Sequence, residues 1–157
     1  MDATINWLGR MSFSGTSDSG FTVDMGTDAS VGGDNDGFRP LELMAISLGG
    51  CTSMDVMSIL SKKRMIITGF EVKVHAERTI EHPMVFTSAT IEYLISGHSV
   101  SEESVLRAIE LSAVKYCPAQ SMLAKAFPIN LKYQIFEDVE EGNRELVSYG
   151  TYELSKG

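Results

Sequence analysis

The chain has 157 residues, 43% of them apolar and 22% charged, a globular balance that excludes disorder for its bulk and fits one domain. Its 21 acids against 13 bases leave a net charge of −8. That charge repels phosphate backbones and anionic lipid, so neither nucleic acid nor a membrane is expected as a partner. Two cysteines are too few for a disulfide scaffold, so they are either chemical or simply buried. Met1-Asp2-Ala3-Thr4 has no basic start and no apolar h-region. The longest uncharged apolar stretch, Leu43 to Met54, is shorter than the ~20 residues of a membrane span. A cytoplasmic location, with reduced thiols, is the expectation.

Residues 3–13 alternate, with Ala3, Ile5, Trp7, Gly9, Met11 and Phe13 on one face, which predicts a half-buried strand. The turn cluster Gly15 to Gly20 and the alternating Phe21, Val23 and Met25 make a hairpin with it. Gly26 to Gly37 reads as a loop; its acids lack the spacing and terminal Glu of an EF-hand. Pro40 suits the first position of a helix, and the helical pattern runs from there to Lys63. Leu43, Met44, Ile46, Leu48, Met54, Met57, Ile59 and Leu60 lie almost all round it, which predicts a buried helix. Gly49 and Gly50 at its centre predict a close approach by another backbone.

Two strands follow: Phe70, Val72, Val74 and Ala76 share a face of the first, and Val85, Ala89, Ile91, Tyr93 and Ile95 a face of the second. Ser101 starts a helix that Cys117-Pro118 breaks. A short helix from Pro118 to Ala126 is expected next, then a last strand through Ile129, Leu131, Tyr133 and Ile135. Residues 137–157 read as an acidic tail that Val147, Tyr149 and Tyr152 dock on the body. Strands in antiparallel pairs around helices place the fold in the α+β class.

No histidine among His75, His82 and His98 has a second ligand at zinc-motif spacing, and no phosphate loop or dinucleotide fingerprint is present. No metal and no organic cofactor is expected. Cys51 lies in the least polar part of the chain, where a free cysteine is ordinarily a small core residue. Yet Ser47, Asp55 and Ser58 stand with it at i−4, i+4 and i+7. Such a stripe must line a cavity or a second chain. Asp55 opposes a thiolate at Cys51, so a reactive Cys51 requires a cation nearby. Cys117, ahead of Pro118, is placed as the N-cap of the short helix, where the dipole favours a thiolate.

The run Pro40-Leu41-Glu42-Leu43-Met44-Ala45-Ile46-Ser47-Leu48-Gly49-Gly50-Cys51-Thr52-Ser53-Met54-Asp55-Val56 resembles the long-helix signature of the OsmC/Ohr superfamily. Lys115-Tyr116-Cys117-Pro118 resembles its second cysteine motif, and Glu77-Arg78 and His82-Pro83 also match. The resemblance covers roughly residues 4–136 and is nearest the OsmC-like subgroup. It implies a single OsmC-like domain over 1–157, with antiparallel sheets around a long buried central helix and an intertwined homodimer. It implies a thiol peroxidase acting on organic hydroperoxides, with Cys51 peroxidatic, Cys117 resolving and a dithiol as the reductant. The family also uses an arginine and a glutamate about the first cysteine. Arg10 and, as a second candidate, Arg39 match the arginine, and Glu42 matches the glutamate one place late. Nine residues along a straight helix is about 900°, which puts Glu42 on the side opposite Cys51. Glu42 then acts across the dimer or serves only the helix dipole. The alternative function is a non-enzymatic, stress-related dimer whose apolar pocket binds a small organic ligand.

Overall fold

The computed structural model describes residues 1–139 and 142–153. Glu140 and Glu141 of the acidic run, and residues 154–157, lie outside the described residues. The chain divides into two compact units, Met1–Met44 and the residues from Ala45 onward.

The first unit is a three-stranded meander of β1 (Ala3–Gly9), β2 (Ser12–Ser17) and β3 (Thr22–Met25), antiparallel throughout. The single strand expected over 3–13 is two strands. Gly9 and Arg10 both take positive φ, 116° and 47°, and fold the chain back so that Trp7 pairs with Phe13. The apolar alternation continues through this turn, which is why it reads as one strand. β1 is not half-buried: Trp7 is 66% exposed and Ile5 59%. A 3-10 turn, Ala29–Val31, lies in the following loop, capped by Asp28. The loop returns to the sheet where Met25 bridges Phe38. A Cβ on Gly37 would lie 2.6 Å from the backbone of Asp24 and Met25, so only glycine fits there.

Helix α1 (Pro40–Lys62) begins and ends within a residue of expectation. Leu48, Thr52, Val56 and Leu60 form a buried stripe at i+4 spacing. The helix is not buried all round, however. Ile46 and Met54, two residues (about 200°) out of phase with that stripe, are 53% and 76% exposed. Nor does another backbone press on either glycine. A Cβ on Gly49 would meet the Val74 side chain at 2.9 Å, whereas Gly50 faces open space. By length and composition α1 is apolar enough to cross a membrane. It nonetheless packs one stripe into a core, as the central helix of a globular domain does, and carries Asp55 at mid-length.

The second unit is built on a four-stranded sheet of order β4 (Ile66–Arg78), β5 (Phe86–His98), β6 (Ile129–Asp138) and β7 (Arg144–Tyr152). β4–β5 and β6–β7 are antiparallel. β5–β6 is parallel, the exception among the mostly antiparallel pairs expected, because the chain crosses over through two helices between them. Those helices are α2 (Glu102–Leu111), capped by Ser101, and α3 (Pro118–Leu123), shorter than expected. Ile91, Tyr93 and Ile95 of β5 lie beside Leu131, Tyr133 and Ile135 of β6. With Leu48, Val56 and Leu60 of α1 and Val105, Ala108 and Ile109 of α2 they form the core.

The acidic tail is also corrected: residues 144–152 are the edge strand β7. Its half-buried residues are Ser148, Gly150 and Tyr152, not an apolar row, so alternation does not reveal it. Tyr152 docks on the core, while Val147 and Tyr149 face outward.

Candidate active site

The site begins with a change of helix type. α2 gives way at Ser112 to a π-helical turn, Ser112–Tyr116, and Cys117 N–H donates to Ser112 O across five residues. Pro118 then starts α3, with Cys117 as its N-cap. This brings Cys117 to the middle of α1. Cys51 Sγ, Cys117 Sγ and a carboxylate oxygen of Asp55 all lie within 4.8 Å of one another. Both cysteines are free; Cys51 is half-buried and Cys117 buried.

Cys117 Sγ accepts from Gln120 N–H at 3.3 Å, as a cap should. The expected thiolate does not follow. Burial pushes the Cys117 thiol up, the hydrogen bond with Cys51 adds to the effect, and the Gln120 N–H only partly opposes it. One amide of a six-residue helix is too little to offset the loss of water around a thiolate.

Behind the pair runs a buried chain of hydroxyls. Ser112 Oγ donates to Asp55 Oδ2 at 3.0 Å. Thr52 Oγ1 lies 2.9 Å from Ser112 Oγ and 2.6 Å from Tyr93 OH. A carboxylate only accepts, so the single Ser112 proton goes to Asp55 and the order is fixed: Tyr93 donates to Thr52, Thr52 to Ser112 and Ser112 to Asp55. Burial holds the Tyr93 phenol protonated, far above its ordinary range. Thr52, Tyr93 and Ser112 are fully enclosed. The sequence did carry a signal for them: Thr52 is the one hydroxyl on the Leu48–Leu60 stripe, and a buried hydroxyl requires partners. Of the polar stripe, Asp55 and Ser58 open on a cavity of about 420 Å³ with Lys62 and Lys63, while Ser47 is exposed.

The other candidates are engaged within the first unit. Arg10 donates to Asp34 Oδ1 at 2.6 Å and to Gly32 O at 3.2 Å. Arg39 bonds Asn35 and lies 3.8 Å from Asp28. Glu42 accepts from Arg39 N–H at 2.9 Å, while Arg39 O accepts from Glu42 N–H. This is the acidic half of a capping box, a hydrogen-bonding role at the start of the helix.

Residues 33–132 match the family model described as OsmC-like protein. The chain belongs to the OsmC-like family. The protein YhfA of Escherichia coli K12 is 36% identical over 135 residues, covering 86% of this chain and 98% of YhfA. A hypothetical protein from Aquifex aeolicus has the same fold, with a TM-score of 0.77, 22% identity and coverage of 88% and 97%. An organic hydroperoxide resistance protein of Legionella pneumophila superposes with a TM-score of 0.61 at 12% identity, covering 88% of this chain and 96% of that one. The mixed α+β architecture is thus the OsmC-like fold.

Proposed function

We propose that this OsmC-like protein is a cysteine-based peroxidase that reduces organic hydroperoxides through a Cys51–Cys117 disulfide. The observation that carries the reading is the convergence of two free cysteines, from α1 and from the start of α3, within 4.8 Å. The family supports it, since it includes proteins described as organic hydroperoxide resistance proteins.

In this reading the Cys51 thiolate attacks the peroxide O–O bond, forming a sulfenic acid and releasing the alcohol. The Cys117 sulfur then displaces the sulfenic hydroxyl, which leaves with the thiol proton as water. The sulfurs close to the ~2.05 Å of a disulfide, a movement of at most a few Å at the first turn of α3. A dithiol reductant restores both thiols by exchange. Cys51 is the half-exposed member and meets the peroxide; the buried Cys117, whose proton is held tightly, resolves.

The carboxylate of Asp55 works against a thiolate at Cys51, so the reading requires a cation. Arg10 or Arg39, from this chain or a second copy, is proposed to supply it, with Glu42 orienting the arginine. A homodimer is part of the proposal. The uncovered stripe of α1 and a groove of about 480 Å³ along Gly49, Gly50, Phe70 and Val74 form an apolar surface that a second copy would cover. The cytoplasm is the proposed location because the cycle needs reduced thiols.

The test is the intact mass of the reduced protein after one equivalent of cumene hydroperoxide. The wild type is expected to lose two hydrogens, and Cys51→Ser and Cys117→Ser are not. An unchanged wild-type mass would overturn the peroxidase reading.

A further inference from the structure

The cysteine pair shares its space with a donor that the disulfide cycle leaves unused. Asp55 lies one helical turn from Cys51, the i,i+4 spacing by which a rigid helix presents two ligands to one ion. Cys117 approaches from a separate element, the start of α3. We propose that Cys51 Sγ, Asp55 and Cys117 Sγ form a binding site for one thiophilic divalent cation of the zinc type.

Two sulfurs and one carboxylate oxygen are a donor set suited to zinc and poorly suited to magnesium or calcium. Zinc–sulfur bonds of ~2.3 Å in a tetrahedron place two sulfurs ~3.8 Å apart. The donors lie within 4.8 Å of one another in the absence of an ion, so contraction by about 1 Å assembles the site. The groups behind the donors are already in place. Ser112 Oγ donates to Asp55 Oδ2, and the carboxylate keeps lone pairs for an ion. Gln120 N–H donates to Cys117 Sγ. Outer partners of this kind fix ligand orientation and charge in metal centres.

Charge conservation favours the site as well. A divalent ion displaces two thiol protons and meets one carboxylate, giving a bound cluster of net charge −1. Asp55 alone already carries that charge, so loading the ion adds no net charge to a half-buried position. Three protein ligands leave a fourth position for a water molecule, and Asp55 itself lines a cavity of about 420 Å³. A neutral water in that position keeps the cluster at the charge that Asp55 carries alone.

The ion and the disulfide use the same sulfurs and exclude each other. Oxidation by a hydroperoxide takes two electrons from the two thiolates and, with two protons, yields disulfide, alcohol, water and the freed ion. The site itself rests on geometry; only this release rests on the proposed peroxidase reading.

Cobalt(II) is the probe, added to the whole, reduced protein under anaerobic conditions and then displaced by zinc. Thiolate-to-cobalt charge-transfer absorption saturating at one ion per chain is expected for the wild type. It should vanish in Cys51→Ser and Cys117→Ser. Asp55→Asn, which keeps an acceptor for Ser112, should weaken zinc by about tenfold or more in competition with a chelating dye. Absence of charge-transfer absorption in the wild type overturns the site, as does wild-type affinity in Asp55→Asn or Cys51→Ser. Half-exposed Cys51 decides the matter if the Cys117 variant misfolds. Disulfide formation in the metal-free protein is read separately by mass, so failure of the metal site and failure of the peroxidase reading remain distinguishable.

Discussion

Replacing Thr52 by Val keeps the shape of a fully buried side chain and removes one hydroxyl. In the wild type that hydroxyl accepts from Tyr93 and donates to Ser112, at 2.6 and 2.9 Å. The variant leaves the Tyr93 O–H enclosed with no acceptor, since Tyr93 has no exposed surface. An orphaned buried donor costs ~1–3 kcal/mol, and the lost hydrogen bonds place the expected destabilisation at about 2–3 kcal/mol. Tyr93→Phe removes the donor instead and leaves the Thr52–Ser112–Asp55 part intact, for about 1 kcal/mol. In the double variant no donor is stranded, so its loss should be about 2 kcal/mol, about 1–2 kcal/mol less than the sum. Urea titrations followed by circular dichroism read these values, with the m-value unchanged if only stability moves. A Thr52→Val loss below about 0.5 kcal/mol, or strict additivity in the cycle, would show that the hydroxyls are not coupled as described.

Glu42→Ala removes the acidic half of the capping box and should cost about 0.5–1 kcal/mol in the same titration. If capping is its only role, the variant will form the peroxide-induced disulfide at the wild-type rate, and a slowed rate would restore the family's glutamate role to it. The Glu102 carboxyl is held below its ordinary value by hydrogen bonds donated by Ser148 and Tyr133. A depressed folded-state pKa contributes stability above the unfolded value, near 4.5, and loses it as pH falls through the lower folded value. Glu102→Gln should therefore lower the urea midpoint at neutral pH and flatten its acid decline; an unchanged acid limb would contradict the assignment. In Gly150→Ala the added methyl would lie 2.8 Å from Tyr133 Oη and 3.1 Å from its ring, which Glu102 prevents from swinging aside. A destabilisation of about 1–3 kcal/mol is expected, and a neutral result in the melting temperature would place β7 further from β6 than described.

Where periodicity was strong, local reading sufficed. The bounds of α1 follow from Pro40 and the long apolar run, and the alternation of β4 matches the observed burial; in β5 it holds only from Ala89 to Tyr93, since Val85 lies outside the strand and is exposed and Tyr93 to Gly97 is buried on both faces. It failed where one pattern covered two structures, as in the turn at Gly9-Arg10, or where packing needed no apolar row, as at Ser148 and Gly150 in β7. The apolar girth of α1 predicted burial all round, but not which half of it this chain covers. At the site, the sequence could place Cys117 as a cap, yet no local rule predicts that its sulfur meets Cys51. That meeting depends on the crossover between β5 and β6. For a related reason, the one hydroxyl on the buried stripe of α1 signals that Thr52 has partners without saying that they are Tyr93 and Ser112, which come from other elements.

The π-helical turn before Cys117 has a consequence for how this site tolerates change in chain length. A turn of that type is an ordinary helix carrying one surplus residue. Deleting any one residue between Ser112 and Tyr116 would restore a regular spiral, leave the helix content nearly untouched, and rotate Cys117 by about 100° away from its partner. The meeting of the two cysteines is thus encoded partly by a count of residues rather than by their identities. Point substitutions at the outward-facing Val114 and Tyr116 would be comparatively forgiving, unlike one at buried Ser112, whereas a single codon lost from the turn would separate the two sulfurs in a protein that still folds. Transplanting the chemistry to another scaffold would require copying that surplus residue along with the two cysteines.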